Sequence, residues 1–538
     1  MTLEQKIGAM LAFGWAGEGE AGVNAHAREI VEEMQVGGVV LLGRNVADDL
    51  KETAETLNEL QSISREPLFV IGDQEGGMVA RFVDGVTVFP SNMALGATGT
   101  PHFTYKAAGA TAREMAAIGA NYNFAPCVDV NNNPDNPIIG TRSYGESADK
   151  VAGLATWAIK GYQDNGVIAC AKHFPGHGDT AVDTHLALPS VPYPRERLDE
   201  VELKPFKAAI TAGVSTIMTT HIVFPALDAE RPSTLSHRII TGLLREELGF
   251  EGVAVTDCME MKAIADNFGT PEAAVMAIEA GVDLVLVCHT LSVQREAREA
   301  IIKAVKDGRI SESRLDESVA RIKALKEKYS LESRRRVDPA ALASILRRPD
   351  HLALQREIAE RSVTLVKNEE GMVPLKLVPD ERVLVIGLHA TVEPLYEAVK
   401  EYHENAGLMR IEGGEPENAL RSALEAASHA DVLIVPTCPK EPWRAPIDQS
   451  LQTRLVQSLA GLGKRLIVVA VREPYDLRQF PEVRTYICTY GYRGGSLEAA
   501  VELIFGKIEP RGVLPVTIPE DGAEARTEDA GTSVPRYF

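Results

Sequence analysis

The sequence is poor in cysteine and has no long apolar run. Its 538 residues contain six scattered cysteines, and no two of them form the Cys-x-x-Cys spacing of a zinc site or a redox pair. Four of the six lie inside or directly after apolar runs, which favours buried free thiols. Because no stretch of 18 apolar residues occurs, no membrane insertion is expected.

Basic residues are also fewer than acidic residues. The chain has 56 Lys and Arg against 76 Asp and Glu, a formal net charge of −20, whereas nucleic acid demands a basic surface. Nucleic acid is therefore excluded as an expected partner. The N-terminal MTLEQKIGAM lacks the basic and then apolar pattern of a signal peptide, so a cytoplasmic protein is expected. A secreted chain whose signal peptide had been removed would show the same pattern.

Apolar, β-branched runs alternate with helical patterns over residues 1–330. Strands that are apolar throughout and separated by helices are typical of a parallel sheet covered on both faces. Seven such units favour a (β/α)8-type TIM barrel with one degenerate unit, and an open doubly wound sheet is the alternative. The runs are VGGVVLLG (36–43), PLFVIGD (67–73), NYNFAPCVDV (121–130), GVIACAKHF (166–174), STIMTTHIVF (215–224), EGVAVTD (251–257) and DLVLVCH (283–289).

A second α/β pattern occupies the C-terminal part of the chain. Residues 331–354 are basic and contain proline, and we interpret them as a linker that includes a helix. From 355 to 538 the runs SVTLVKN, RVLVIGL, ADVLIVPT, RLIVVAV and TYICTY alternate with helical stretches. This pattern predicts a separate, smaller α/β domain.

Polar residues end most of the apolar runs of the first domain. In a TIM barrel the reacting groups lie at the C-terminal ends of the strands. Any one such residue is more simply explained as structural, but six of seven runs end in this way. The pattern predicts a pocket rich in carboxylate and imidazole. The residues are Asp73, Asp129, Lys172 with His173, His221, Asp257 and His289.

The segment AKHFPGHGDTAVDTHLALP (171–189) is the densest in such groups, with His177, Asp179, Asp183 and His185 within nine residues. Its proline and glycines favour a loop. A metal site, a structural polar loop and acid/base chemistry are the three interpretations. The segment lacks a helical His-x-x-x-His register, and Asp183 is well placed to orient the imidazole two residues on and raise its basicity.

Asp257 ends the run GVAVTD, and CMEMKAIAD after it is patterned like the start of a helix. A carboxylate near a helix N-terminus is held ionised by backbone amides, which suits a nucleophile toward an anomeric carbon. A helix N-cap is the structural alternative.

DQEGG with Arg81 and GTRSYGES with Arg142 place guanidinium groups near the ends of other apolar runs, where they can hold sugar hydroxyls.

At these motifs the sequence resembles glycoside hydrolase family 3, and within it the bacterial β-N-acetylglucosaminidase branch. The specific part is KHFPGHGDT followed by DTH. DQEGG, NFAPCVDVNNNP, GTRSYG, IMTTHIVFPALD, TLS and GVAVTDCMEM also match in family order. RSVTLVKN and YGYRGGSLEAAVELIFGKIEPRGVLPVTIP resemble the family's second, α/β-sandwich domain, so the resemblance covers nearly the whole chain.

The resemblance implies a retaining, exo-acting double displacement with Asp257 as nucleophile, His185 as acid/base and Asp183 as its partner. It implies no cofactor and no metal, and a small carbohydrate partner, β-linked N-acetylglucosamine of peptidoglycan fragments or chitooligosaccharides. Thr184 stands where Ser is common, and Met78 stands where an arginine often follows the paired glycines. The residues implied to hold the sugar ring are Asp73, Arg81, Arg142, Lys172 and His173.

Other functions compete with this interpretation. A phosphorylase of N-acetylglucosaminides is one alternative within the family, since a histidine donor does not repel an anionic acceptor, and a broader β-glycosidase is another. From a different enzyme class, Lys172 at a strand end could form a Schiff base, as in an aldolase. The non-enzymatic alternative is a carbohydrate-binding protein without catalytic activity.

Overall fold

The computed structural model describes residues 1–17, 22–181, 188–412, 415–438 and 447–519. Over these ranges the chain forms a closed eight-stranded barrel and a separate six-stranded sheet. Within the same ranges no helix combines the length and the apolar character that a membrane crossing requires.

The barrel confirms the TIM-barrel prediction and rules out the open sheet. Its strands pair in chain order, all in parallel, and β1 closes the ring against β8 with Leu11 opposite Val285. Seven of them coincide with the predicted runs. The eighth strand, β1, was not predicted. It is three residues long and directly follows a helix, so no turn residues separate it from that helix in the sequence. The strands are β1 (Leu11–Phe13), β2 (Gly38–Val40), β3 (Phe69–Gly72), β4 (Tyr122–Asn123), β5 (Ile168–Phe174), β6 (Thr216–Thr219), β7 (Val253–Cys258) and β8 (Leu284–Val287).

Helices cover the outside of the barrel, and every residue of β5 is buried, as expected for a strand with both faces covered. Helix starts are capped by side chains such as Asp49, Ser147 and Ser311. The α-helices are Leu3–Ala9, Ala25–Arg28, Leu50–Ile63, Asn92–Thr98, Pro101–Ile118, Ala148–Asp164, Arg195–Glu200, Leu203–Thr211, Lys262–Phe268, Thr270–Ala280, Leu291–Lys306 and Glu312–Lys328. π-Helical segments span Glu29–Glu33 and Arg238–Glu247, and 3-10 turns span Gly43–Asn45, Gly140–Arg142 and Ser233–Leu235.

The second domain is a mixed sheet with apolar clusters on both faces, which is an α/β sandwich. Its strands are β9 (Thr364–Asn368), β10 (Val383–Gly387), β11 (Ala406–Arg410), β12 (Val432–Thr437), β13 (Arg465–Ala470) and β14 (Thr485–Cys488), in the order β9-β14-β13-β12-β10-β11. Only the β9–β14 pair is antiparallel among these strands. Five strands coincide with predicted runs. The sixth, β11, escaped prediction because it is a partly exposed edge strand without a buried apolar run.

Helices also flank this sheet and connect it to the barrel. In the connecting region they span Leu331–Arg334, Pro339–Ala341, Leu342–Ile345 and Pro349–Ser362, the first two being 3-10 turns. Around the sheet they span Val392–Lys400, Pro416–Ser428, Gln449–Ala460, Pro474–Gln479 (a 3-10 helix) and Ser496–Ile504.

The 3-10 helix Pro474–Gln479 of the second domain packs on the barrel segment that follows β4. Asn131 Nδ2 donates a hydrogen bond to the hydroxyl of Tyr475 at 2.8 Å, and Arg478 pairs with Asp135 at 2.7 Å. These contacts support the C-terminal rim of the barrel from outside. The second domain therefore positions part of that rim in addition to forming its own core.

Candidate active site

A cavity of about 350 Å³ opens at the C-terminal ends of the barrel strands. Among the described residues its lining comes from the barrel alone. The cavity brings together the five residues predicted to hold a sugar ring and the predicted nucleophile. Its polar lining comprises Asp73, Arg81, Arg142, Lys172, His173, His177, Asp257 and His289, and its other lining includes Met78, Val79, Ile138, Cys258, Met261 and Cys288.

A hairpin after β3, residues 74–80, places Arg81 against Asp73. At its turn Gly77 has a φ of +54°, and a Cβ there would lie 2.7 Å from the Cβ of Ser91, so the turn requires glycine. The returning strand lets Arg81 Nη2 donate to Asp73 Oδ2 at 2.7 Å. The DQEGG motif therefore folds into a turn that sets an ion pair in the wall of the cavity.

Lys172 is the centre of a buried ion-pair network. Its side chain is 2% exposed, and Nζ lies 2.7 Å from Asp73 Oδ1 and 2.7 Å from Glu75 Oε1. Arg142 holds the same Glu75 through two hydrogen bonds, from Nε at 3.0 Å and from Nη2 at 2.8 Å. With the Arg81–Asp73 pair, the network joins three cations to two carboxylates in fixed positions.

The charges of this network outweigh the effect of burial. Burial alone would raise the pKa of Asp73 and Glu75, but the neighbouring Lys172, Arg81 and Arg142 hold both below their usual values. Burial would likewise lower the pKa of Lys172, but the two carboxylates raise it. Lys172 is therefore an ammonium ion at neutral pH. A Schiff-base lysine must be a neutral amine, so the aldolase alternative loses its support.

Asp129 orients His173 from behind the cavity wall. His173 Nδ1 lies 2.7 Å from Asp129 Oδ2, and Asp129 Oδ1 accepts the backbone N–H groups of His173 at 3.2 Å and His177 at 2.7 Å. Because a carboxylate accepts, Nδ1 of His173 carries the proton, and Nε2 faces Arg142 Nη2 at 3.3 Å. Burial and the nearby His173 lower the pKa of His177 to about 4, so His177 is neutral at pH 7.

Asp257 lies in β7, four strands from β3 around the ring, and so on the opposite wall. Its Oδ1 accepts the backbone N–H of Cys258 at 2.7 Å. The next helix begins only at Lys262, with Met261 at its N-cap. The prediction that Asp257 lies at a helix N-terminus is therefore wrong, because CMEM continues as strand and turn, and the local amide of Cys258 supplies the hydrogen bond instead.

Two cysteines and a histidine continue the wall next to Asp257. Cys258 hydrogen-bonds Cys288 and His289, and these contacts lower the pKa of the Cys258 thiol against the opposing effect of burial. The carboxylate of Glu260 accepts the backbone N–H of His289 at 2.6 Å. All six cysteines of the chain are buried and outside any disulfide, which confirms the prediction made for four of them.

His221 ends a predicted run but lies outside the cavity. It is fully buried, with Nδ1 2.9 Å from Thr234 Oγ1 and Nε2 3.1 Å from the carbonyl oxygen of Cys258. Both ring nitrogens thus join the end of β6 to its neighbours. We assign His221 a structural role, the simpler explanation for a polar residue at a strand end.

Asp183 and His185, the predicted acid/base pair, lie outside the described residues. The loop that leads to them is described as far as residue 181. Within it, Asp179 Oδ2 accepts a hydrogen bond from Asn132 Nδ2 at 2.9 Å and lies 3.6 Å from Arg197 Nη2. Asp179 therefore ties the loop to its neighbours and does not line the cavity.

Sequence reasoning missed Glu75 and the function of Asp129. Glu75 joins Lys172 and Arg142, and without it these two cations would face each other. The motif DQE carried a signal, because two carboxylates that follow one strand can hold cations from two other strands. In the sequence, Asp129 is visible only as the polar residue that ends an apolar run. Its pairing with His173 depends on the adjacency of β4 and β5, which pair in the barrel.

Comparisons with known proteins agree with this architecture. The family model described as the glycosyl hydrolase family 3 N terminal domain matches residues 2–325, and that of the family 3 C-terminal domain matches residues 363–537. A solved structure of a glycoside hydrolase family 3 β-N-acetylglucosaminidase from Paenibacillus sp. str. FPU-7 is 38% identical, with a TM-score of 0.88. The similarity covers 96% of this chain and 99% of that one.

Two curated relatives are similar over most of their length. Beta-hexosaminidase A of Pseudoalteromonas piscicida is 31% identical, over 91% of this chain and 90% of the relative. A protein of Cellulomonas fimi named beta-N-acetylglucosaminidase/beta-glucosidase is 33% identical, over 90% of this chain and 88% of the relative.

Proposed function

The chain belongs to glycosyl hydrolase family 3, and on that premise we propose that it is a retaining, exo-acting β-N-acetylglucosaminidase. One observation carries the proposal. Two carboxylates line the described cavity: Asp73 is committed to Lys172 and Arg81, and Asp257 faces it from the opposite wall. This arrangement separates a binding carboxylate from a bond-forming one.

The ion-paired wall is proposed to bind the sugar. Asp73 and Nε2 of His173 accept from sugar hydroxyls, while Arg81, Arg142 and Lys172 donate to them. Their mutual hydrogen bonds hold these groups in place before the substrate arrives, so little ordering is required on binding. A cavity of about 350 Å³ lies at the small end of the range for ligand pockets, which fits the removal of one terminal sugar.

The proposed reaction is a double displacement. Asp257 attacks the anomeric carbon as His185 gives its proton to the departing glycosidic oxygen, and a β-linked sugar becomes an α-linked ester of Asp257. His185, now neutral and oriented by Asp183, takes a proton from water, which attacks the same carbon and releases β-N-acetylglucosamine. One carboxylate of the usual pair is thus replaced by a His–Asp pair.

The names of the relatives support the choice of sugar. The Paenibacillus and Pseudoalteromonas proteins are named for N-acetylglucosamine or hexosamine, and the Cellulomonas protein also for glucose. We therefore expect kcat/KM for an aryl β-N-acetylglucosaminide to exceed that for the aryl β-glucoside by at least about 100-fold, a difference of about 2.7 kcal/mol. Equal values for the two substrates would contradict the proposed specificity.

The natural substrates are proposed to be peptidoglycan fragments or chitooligosaccharides. Steady-state kinetics on chitobiose and on a disaccharide of N-acetylglucosamine and anhydromuramic acid would rank the two sources. Parallel assays with phosphate separate hydrolysis from phosphorolysis, since only the latter gives a sugar 1-phosphate. Activity is expected to persist in EDTA, because no step of this mechanism uses a metal.

A further inference from the structure

Four side chains next to Asp257 form a cluster that the proposed mechanism does not use. Ligand atoms of Cys258, Glu260 and His289 all lie within 4.8 Å of one another. Cys288, in the residue after β8, hydrogen-bonds Cys258 and adds a second sulfur. The two cysteines are 30 positions apart in the chain, so no short sequence motif indicates the cluster.

We propose that Cys258, Cys288, His289 and Glu260 bind one Zn²⁺ ion and that this ion blocks the active site. Two thiolates, an imidazole and a carboxylate are the ligand types of tetrahedral zinc sites. Bonds of about 2.0–2.3 Å place tetrahedral ligands about 3.3–3.8 Å apart. The ligand atoms of Cys258, Glu260 and His289 already lie within 4.8 Å of one another, so side-chain rotations of about 1 Å bring these three into range, and Cys288 joins them from its contact with Cys258.

Charge and access both favour this site. Binding releases two protons from the thiols, after which the sulfurs and Glu260 carry three negative charges. These balance the two charges of Zn²⁺ and the one of Arg44, whose Nη2 donates to the carbonyl of Cys288 at 2.9 Å. Cys258, Cys288 and His289 line the cavity, so the ion reaches them by the same opening as the substrate.

A second cluster of ligand types is unsuited to a metal. Cys127, Asp129 and His173 are also close together, but all three are buried, and only His173 reaches the cavity. Asp129 there already accepts hydrogen bonds from His173, His177 and Cys127. Because Cys127 and Asp129 do not line the cavity, a metal has no open path to this cluster.

The inhibition of catalysis follows from the position of the ion and rests on the proposed function. The binding of zinc itself does not depend on that function. Asp257 and Cys258 are consecutive residues that both line the cavity, so an ion on the Cys258 sulfur lies in the same cavity wall as the proposed nucleophile. The ion neutralises the field of that carboxylate and fills the cavity wall. Zinc is expected to reduce kcat/KM at least about 10-fold, and EDTA is expected to restore it.

Cadmium binding tests the site independently of activity. Cd²⁺ is titrated into reduced, chelator-treated protein, and the ultraviolet thiolate-to-cadmium absorption is followed. One equivalent is expected for wild type and for the control Cys170→Ala, which removes a buried cysteine of β5. Cys258→Ala and Cys288→Ala should each lose half or more of the absorption and at least about 10-fold in affinity.

Glu260→Gln keeps both sulfurs and serves as a second variant should an alanine variant fail to fold, as judged by circular dichroism. It should retain the absorption but bind at least about 10-fold more weakly. Absence of the absorption in wild type, or an unchanged absorption in Cys258→Ala, would overturn the site.

Zinc inhibition of aryl-glycoside hydrolysis is then measured for each variant relative to its own activity without zinc. Wild type and Cys170→Ala should be inhibited, and Cys258→Ala should not. Equal inhibition of all three would overturn the blocking effect. A wild type without any glycosidase activity would contradict the proposed function instead, and the cadmium titration would still decide the site.

Discussion

On the wall built by β3 and β5, Lys172 lies 2.7 Å from both Asp73 and Glu75 in a nearly closed set of ion pairs. On the wall built by β7 and β8, Asp257 is held by the amide of its neighbour, and cysteines and a histidine surround it. The side chains of the first wall are fixed because each charged group is paired with a group of opposite charge. The second contains the groups that are proposed to form bonds.

In the proposed mechanism, the first wall binds the sugar and the second carries out the chemistry. Paired opposite charges can both donate to and accept from neutral sugar hydroxyls. A nucleophile inside the same network would be stabilised by its partners and would react poorly. Placing Asp257 four strands away avoids this conflict, and variants on the two walls should therefore fail in different ways.

The largest effect is expected for Asp257→Ala on the reactive wall. No bond-forming carboxylate remains, so kcat should fall at least about 10,000-fold on every substrate, while the thermal midpoint stays near wild type. The matched control is Asp266→Ala, an exposed carboxylate on the following helix, which should keep full activity. An Asp257→Ala protein with more than about a tenth of wild-type kcat would place the nucleophile elsewhere.

His185→Ala should lose activity in proportion to the basicity of the leaving group. Loss on a disaccharide is expected to be about 100- to 10,000-fold, and far smaller on a dinitrophenyl glycoside that needs no proton. Azide should restore turnover and yield a β-glycosyl azide, and Asp183→Ala should show a weaker form of the pattern. Equal losses on both substrates, with no azide product, would assign the acid/base to another residue, such as Glu75.

Lys172→Met should damage folding as well as binding, because it leaves Asp73 and Glu75 buried together. The expected loss is about 3–5 kcal/mol in the free energy of unfolding, measured by urea denaturation. The control Lys207→Met breaks a half-exposed pair with Asp199 and should cost less than about 1 kcal/mol. Similar losses for the two variants would show that the network has no special role.

The pH dependence of the free energy of unfolding provides a second test of the network. In wild type the pKa of Asp73 and Glu75 is lowered, so their stabilising contribution is present above the unfolded value near 4 and is lost as pH falls below it. In Lys172→Met both carboxylates lose one of the cations that lower their pKa, so both pKa values shift upward relative to wild type, and the carboxylates protonate at a higher pH. The stability gap between variant and wild type should therefore be widest at neutral pH and narrow toward pH 4.

The smallest effect is expected for Arg81→Gln, at the exposed edge of the ion-paired wall. Asp73 keeps its contact with Lys172, so we expect KM to rise about 10-fold with kcat changed less. Arg195→Gln removes another ion-paired arginine of similar exposure outside the cavity and should leave KM unchanged. A large loss of kcat with unchanged KM would mean that Arg81 acts mainly in the transition state.

Much of this architecture could be predicted from residues whose signal is local. Seven apolar runs, six of them ending in polar residues, indicated the barrel and its reactive end, and five of six sheet strands of the second domain were likewise found from their apolar runs. The strands β1 and β11 were missed because one merges with a preceding helix and the other is an exposed edge. The boundary after Asp257 was misjudged because CMEM has a helix-like composition but forms the end of the strand and a turn.

Pairing across the barrel could not be predicted in this way. Glu75 with Lys172 and Arg142, and Asp129 with His173, join strands that are distant in the sequence. The Cys258–Cys288 contact likewise arises only because β7 and β8 are neighbours in the ring. Sequence motifs located the individual groups, but their mutual orientation and charge state follow from the closed sheet.

The central claim, a covalent intermediate on Asp257, is tested most directly by trapping it. The His185→Ala variant is mixed with dinitrophenyl β-N-acetylglucosaminide, digested with protease and analysed by mass spectrometry. The account predicts one added N-acetylglucosaminyl group on the peptide that contains Asp257, and none in the Asp257→Ala, His185→Ala double variant. A label on another residue, or an α-anomer as the first product of the wild-type enzyme, would contradict it.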